Sequence, residues 1–213
     1  MEKPRILLAD DHKIVLEGLR SLLEPEFDLV GTVEDGRALL AAAEKLRPDV
    51  VVVDITMPLL NGIDAVRQIK KKNQSIKIVF LTMHPDVEYA ESAFEAGASG
   101  FVLKHSAPAE LVEAIREAIK GRTYVTPMIS DKLTSLSDSP NHEQNHRLGK
   151  LTARQREVLQ LLAEGKSAKE VAAVLNISTR TVEFHKYHMM EELGIKTTAG
   201  LVRYAVKHRI VSL

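Results

Sequence analysis

Val50-Val51-Val52-Val53-Asp54 decides how the chain is read. Four β-branched apolar residues in a row, entered from Pro48-Asp49, predict a parallel strand buried on both faces. The carboxylate that ends the run is expensive to bury unless something compensates it. Its natural place is the carboxyl edge of an α/β sheet, where ligands bind. The plainer alternative is an aspartate that caps the next turn, a position where Asp is common.

The sequence on both sides repeats one pattern. Arg5-Ile6-Leu7-Leu8-Ala9 is a short apolar strand that also ends in acids, Asp10-Asp11. Helical spacing of Ile14, Val15, Leu19, Leu22 and Leu23 follows, stopped by Pro25. Residues 27–33 read as a strand and 38–46 as a helix. Beyond Asp54 come a loop with Pro58 and Asn61-Gly62, and an amphipathic helix over 63–72 ending in Lys70-Lys71-Lys72, favourable for its dipole. Strands at 76–81 and 100–103 end in Thr82 and Lys104, with helices at 86–96 and 109–120.

Strands alternating with helices predict a doubly wound five-stranded parallel sheet with helices on both faces. In the common order 2-1-3-4-5, a flavodoxin-like sheet, the crevice lies between strands 1 and 3. Asp10, Asp11 and Asp54 converge there, and Thr82 and Lys104 end the next two strands.

Residues 123–149 are expected to be a linker, since the hydrophobic pattern fails from about Ser130 and Ser135 to His146 is polar. His142 and His146 would suit a metal only if the segment were helical. After it, helices crowd together. Thr152-Ala153-Arg154-Gln155 and Ser167-Ala168-Lys169-Glu170 are capping-box patterns, Asn176-Ile177-Ser178 is a turn, and further helices run over 179–193 and 198–208. Two short helices about a tight turn predict a helix-turn-helix within a four-helix all-α domain over 150–213.

Composition narrows the rest. The 213 residues contain 29 Lys+Arg, 29 Asp+Glu and no cysteine. Disulfides, thiolate metal sites and cysteine nucleophiles are excluded. Residues 1–129 carry 16 basic and 20 acidic side chains, and residues 130–213 carry 13 and 9, an asymmetry that allows a nucleic-acid partner for the second half. No signal-peptide pattern opens the chain and no apolar run nears the ~20 residues needed to span a bilayer, so a cytoplasmic protein with no membrane partner is expected.

Three carboxylates at one edge repel unless a cation joins them. Oxygen ligands point to Mg²⁺, held by Asp10, Asp11, Asp54 and the main-chain carbonyl of Thr56. An aspartate can attack phosphorus and become an acyl phosphate. Lys104 would then pair with the phosphoryl charge and the Thr82 hydroxyl would bond a phosphoryl oxygen. Taken singly, Lys104 is an ordinary strand-end lysine and Thr82 a residue of high β-propensity; together with three acids they form a site.

At these residues the chain resembles the receiver domain of two-component response regulators, over residues 4–122. The resemblance makes Asp10-Asp11 the acidic pair, Asp54 the phosphoacceptor, Thr82 the switch hydroxyl and Lys104 the phosphate-sensing lysine. Phe101 stands at the aromatic switch position, where Tyr is common, and is equally a core aromatic. His105 follows the lysine where the family often has Pro, so a cis peptide is not expected there.

On the helix over 179–193, about 100° per residue puts Val182, Met189 and Leu193 on one face. Phe184, Tyr187, His188 and Glu191 fall opposite, with Glu183 at the flank. In a major groove Phe184 and Tyr187 would touch thymine methyls and Glu183 would accept from a cytosine amino group; the alternative is a dimer or interdomain contact. Lys166, Lys169, Thr179, Arg180, Thr181, Lys186 and Lys196 are phosphate-contact candidates, with Lys186 near the core side.

Residues 150–211 resemble the LuxR-type helix-turn-helix, through Leu151 to Leu159, Lys169-Glu170-Val171-Ala172, Ile177-Ser178, Thr181 to His185 and Leu193-Gly194. Together the two resemblances imply a NarL/FixJ-like transcriptional regulator. They imply a sensor histidine kinase and double-stranded DNA as partners and a homodimer when active. The last helix would pair protomers through Leu201, Val202, Ala205 and Val206. A regulator indifferent to phosphorylation is one alternative. An aspartate-nucleophile phosphatase is another, although Thr56 stands where such enzymes carry a second acid; the expectation is a non-enzyme.

Overall fold

The computed structural model describes residues 3–106, 108–137 and 151–211. They fall into two compact units, divided between Pro140 and Asn141.

The first unit is a parallel sheet of β1 (Arg5–Ala9), β2 (Asp28–Val33), β3 (Val50–Val53), β4 (Lys77–Thr82), β5 (Gly100–Leu103) and β6 (Tyr124–Val125), in the order β2-β1-β3-β4-β5-β6. Its helices are α1 (Lys13–Leu23), α2 (Gly36–Leu46), α3 (Gly62–Lys72), α4 (Val87–Glu95), α5 (Pro108–Ile119) and α6 (Pro127–Ser137). β3 lies inside the sheet between β1 and β4, and all four of its valines are buried. Val51 and Val53 join the apolar layer that includes Leu39, Val66 and Ala90, and Val50 and Val52 join the one that includes Leu16, Leu111 and Ile115. Side chains alternate across a strand, so a run with no polar member must have a core on both sides.

Two expectations are corrected. The sheet has six strands rather than five: after α5 the chain returns and pairs Tyr124 with Gly100 and Val125 with Phe101, in parallel. The stretch expected as linker (123–149) therefore begins as folded chain, with β6 and then α6, and Ile129 is fully buried. Its remainder, with His142 and His146, lies outside the described residues.

The second unit contains α7 (Ala153–Ala163), α8 (Ala168–Leu175), α9 (Thr179–Leu193) and α10 (Thr198–Lys207). Both capping boxes form: Thr152 and Gln155 exchange bonds at the start of α7, and Ser167 and Glu170 at the start of α8. Asn176, left-handed at φ 51°, turns the chain from α8, and Ser178 caps α9. Val158, Leu161, Val171, Leu175, Val182, Met189 and Leu201 are buried in this unit.

Candidate functional site

Asp54 follows β3 directly, its N–H donating to the Ala9 carbonyl at 2.8 Å, so β1 and β3 deliver Asp10 and Asp54 side by side. Both are buried, at 2% and 5% exposure. Lys104 leaves β5 with its N–H bonded to the Thr82 carbonyl at 2.8 Å. Its Nζ reaches across to lie 2.6 Å from Asp10 Oδ2 and 2.6 Å from Asp54 Oδ2. Thr82, fully buried at the end of β4, accepts from the His84 N–H at 3.2 Å. The sheet edge thus brings together Asp10, Asp11, Asp54, Thr82 and Lys104, as periodicity and topology predict.

The electrostatics follow from two acids sharing one lysine. Burial pushes the Asp54 carboxyl above its ordinary value; Lys104 opposes this, and the neighbouring Asp10 charge adds to it. Burial would depress the Lys104 ammonium, but the Asp54 and Asp10 carboxylates outweigh it and hold it above the usual lysine range.

The residues fit a divalent cation. Carboxylate oxygens of Asp10, Asp11 and Asp54 and a nitrogen of His12 lie within 4.8 Å of one another. Asp11 Oδ1 is buried without a hydrogen bond, its near neighbour being His12 Nδ1 at 2.8 Å. A buried acidic oxygen whose near neighbour is an imidazole nitrogen is one that a hard, oxygen-seeking ion can take up.

Two histidines escaped the sequence reading. His12 N–H donates to Asp10 Oδ1 at 3.0 Å, fixing that carboxylate, and the contiguous Asp-Asp-His was its signal. His84 Nε2 lies 3.1 Å from Thr56 Oγ1 and its ring packs 4.8 Å from that of Tyr89. Nothing in the sequence pairs positions 56 and 84; only the parallel return of β4 beside β3 does. The Thr56 N–H approaches Asp54 Oδ1 at 3.4 Å.

Gly62, expected in the loop with Asn61, is the first residue of α3. A Cβ there would sit 2.0 Å from the Asp54 carbonyl oxygen, so α3 can close on the site only without a side chain. Phe101 is fully buried in the same apolar layer as Tyr89 and Ile129. No cis peptide occurs among the described residues.

In the second unit α9 divides as its periodicity predicts. Val182 and Met189 are fully buried, while Phe184 and Tyr187 are each 63% exposed. Thr179, Arg180, Lys169 and Lys196 are exposed, and Lys166 is half-buried, 4.0 Å from Glu164. Other candidates are occupied within the unit. The Thr181 hydroxyl lies 2.8 Å from that of Ser178, and Glu183 pairs with Lys186 at 2.6 Å. The dimer expectation for α10 needs correction: Leu201 and Ala205 are fully buried in their own unit, which leaves Val202 and Val206, both half-buried. An apolar helical stripe does not say which neighbour it serves.

Residues 6–116 match the response regulator receiver domain and residues 149–205 match the bacterial regulatory proteins of the luxR family. The chain belongs to the two-component response regulators. Its pairing of domains makes it a DNA-binding transcriptional regulator of the LuxR-type class. It is 37% identical to the transcriptional regulatory protein MctR of Rhizobium johnstonii, covering 99% of this chain and 96% of that protein. Among solved structures it is similar to the RcsB response regulator of Salmonella typhimurium (31% identity, TM-score 0.64, covering 98% of this chain and 99% of that one). It is also similar to RcsB in an RcsB–DNA complex (30% identity, TM-score 0.61, 97% and 99%). The family is one of transcription regulators rather than of enzymes. No helix among the described residues is long and apolar enough to cross a membrane.

Proposed function

We propose that Asp54 is the phosphoacceptor, fed by a sensor histidine kinase, and that its modification governs DNA binding by α9. The observation that carries this reading is the 2.6 Å approach of Lys104 Nζ to Asp54 Oδ2 at a buried strand end, with Thr82 on the adjacent strand. A carboxylate oxygen of Asp54 attacks the phosphorus of a phosphohistidine, the bond to imidazole breaks, and the imidazole leaves with the electron pair. Lys104, already within bonding distance, transfers its ammonium from the carboxylates to the new phosphoryl oxygens. Thr82 offers its hydroxyl to another oxygen, exchanging the His84 N–H contact for it. Phe101 follows Thr82 as the buried aromatic of the switch.

Asp10, Asp11, Asp54 and the Thr56 main-chain carbonyl hold Mg²⁺ in this reading, with His12 orienting Asp10. Bound there, Mg²⁺ supplies positive charge that lowers the Asp54 carboxyl and shields the incoming phosphoryl group.

Double-stranded DNA is met by Phe184, Tyr187 and Glu183 at base edges. Lys166, Lys169, Thr179, Arg180, Thr181, Lys186 and Lys196 serve the phosphates. Glu183 and Lys186 must first part from each other. A homodimer, cytoplasmic and assembled on phosphorylation, reads two half-sites, with Val202 and Val206 the apolar positions of α10 left to pair protomers.

Incubation with acetyl phosphate and Mg²⁺, mapping of the phosphorylated residue by mass spectrometry, and DNA titration with and without the donor test this. The expected result is one phosphoryl group on Asp54 and tighter DNA binding, both lost in Asp54→Asn. DNA affinity that ignores the donor would instead support a regulator gated by a partner.

A further inference from the structure

One buried residue outside the acidic site joins β5, α5 and α6. Thr126, 4% exposed, directly follows β6. Its N–H donates to the Phe101 carbonyl at 3.0 Å, and its Oγ1 accepts from the Leu103 N–H at 3.3 Å. The hydroxyl proton is given to Glu110 Oε2 on α5, at 3.1 Å. Its carbonyl accepts from Ile129 and Ser130 in the first turn of α6. The side chain therefore continues the ladder of β5 where β6 stops, next to Lys104, and the same residue begins α6.

Two further fastenings hold α6. Lys132 Nζ donates to the Pro85 carbonyl at 3.3 Å, in the loop whose His84 N–H is bonded to Thr82 Oγ1. Ile129 is fully buried in the apolar layer that holds Phe101 and Tyr89. The helix is thus tied to the ends of both strands that carry Thr82 and Lys104. It ends at Ser137, and the next described helix, α7, begins at Ala153.

We propose that α6 is the output arm of the receiver, with Thr126 the positioning residue that couples it to the Lys104 end of β5 and Lys132 its second tie, to the loop after Thr82. This rests on the reading of Asp54 as phosphoacceptor. When Lys104 and Thr82 turn to a phosphoryl group, the Leu103–Thr126 and Lys132–Pro85 bonds carry the shift of their strand ends to α6. A helix anchored at those points is displaced by small shifts at the strand ends.

Hydrogen–deuterium exchange of Tyr124–Leu133 in the full chain, with and without acetyl phosphate and Mg²⁺, tests it, with Asp54 phosphorylation followed by mass in the same samples. The native chain should change exchange in this segment by about fivefold or more, the worth of one hydrogen bond. Thr126→Val should become phosphorylated yet show no such change, and Thr126→Ser should restore it. Lys132→Met, at an exposed position, should reduce the change without disturbing the core. Phosphorylated Asp54 with unaltered exchange would overturn the proposal and leave the phosphoacceptor reading standing, as would native behaviour of both Thr126→Val and Lys132→Met. An unphosphorylated Asp54 would overturn both readings together.

Discussion

Lys104 Nζ lies 2.6 Å from Asp54 Oδ2, so the residue proposed to accept a phosphoryl group is held by the residue proposed to sense it. The same ammonium also serves Asp10. Removing the lysine leaves two buried acids without a counter-charge, while removing Asp54 leaves a matched Lys104–Asp10 pair.

Opposite stability effects are therefore expected for the two partners. Lys104→Ala should destabilise the receiver by about 3 kcal/mol, the low end for breaking a buried pair, because the acids can take up protons. Asp54→Asn should be neutral or stabilising, since it removes a charge that burial disfavours. The pH dependence has a definite sign. Asp54 keeps its proton to higher pH in the folded chain than in the unfolded one, so metal-free stability falls as pH rises from the ordinary value of 3.8 through the raised folded value. Lys104 contributes stability that is complete below its ordinary value of 10.5 and is lost as pH rises through its higher folded value. Urea denaturation across pH reads both, and Asp54→Asn should flatten the acid-side slope.

Magnesium should stabilise this unit by satisfying Asp11 Oδ1. At a hundred times the dissociation constant the gain is about 2.7 kcal/mol, a rise of several degrees in melting temperature. A chelator should reverse it, and Asp11→Ala should melt identically with and without Mg²⁺. An undiminished shift in Asp11→Ala would place the ion elsewhere.

Gly62→Ala should damage the site through the backbone alone. The added methyl meets the Asp54 carbonyl oxygen at 2.0 Å, and a carbonyl cannot swing aside as a side-chain end can. A cost of about 1–3 kcal/mol and slower phosphoryl uptake are expected, whereas Gly18→Ala, with open space around it, should be harmless or stabilising. Urea unfolding and acetyl phosphate kinetics on the two variants check this.

How much of this was legible depended on the length over which a signal repeats. β3, β1 and the acids that end them stood out because a run such as Val50–Val53 has no other packing solution and parallel topology fixes where strand ends meet. β6 was illegible since two residues carry no period. α6 has a weak signal because its residues alternate few apolar positions, Ile129 and Leu133 among them, with many polar ones, although Thr126-Pro127 is a fair helix start. The Thr56–His84 contact and the close approach at Gly62 are long-range facts with no local trace. Leu201 and Ala205 were assigned the wrong neighbour because burial, unlike periodicity, is a property of the folded unit.

The two faces of α9 should separate stability from recognition. Met189 is fully buried, so Met189→Ala should cost about 2–5 kcal/mol and lose DNA binding by unfolding the unit. Phe184 and Tyr187 are each 63% exposed, so Phe184→Ala and Tyr187→Ala should leave stability within about 0.5 kcal/mol. If they meet base edges, each should weaken specific DNA binding by about tenfold while leaving non-specific binding nearly intact. Lys169→Ala and Arg180→Ala should instead weaken binding to all sequences alike and lower the salt slope by about 1 each, as expected of phosphate contacts. Fluorescence anisotropy with specific and scrambled duplexes across salt concentrations distinguishes these patterns. Unchanged DNA affinity in Phe184→Ala, joined to a loss of self-association in sedimentation, would assign that aromatic face to a protein partner.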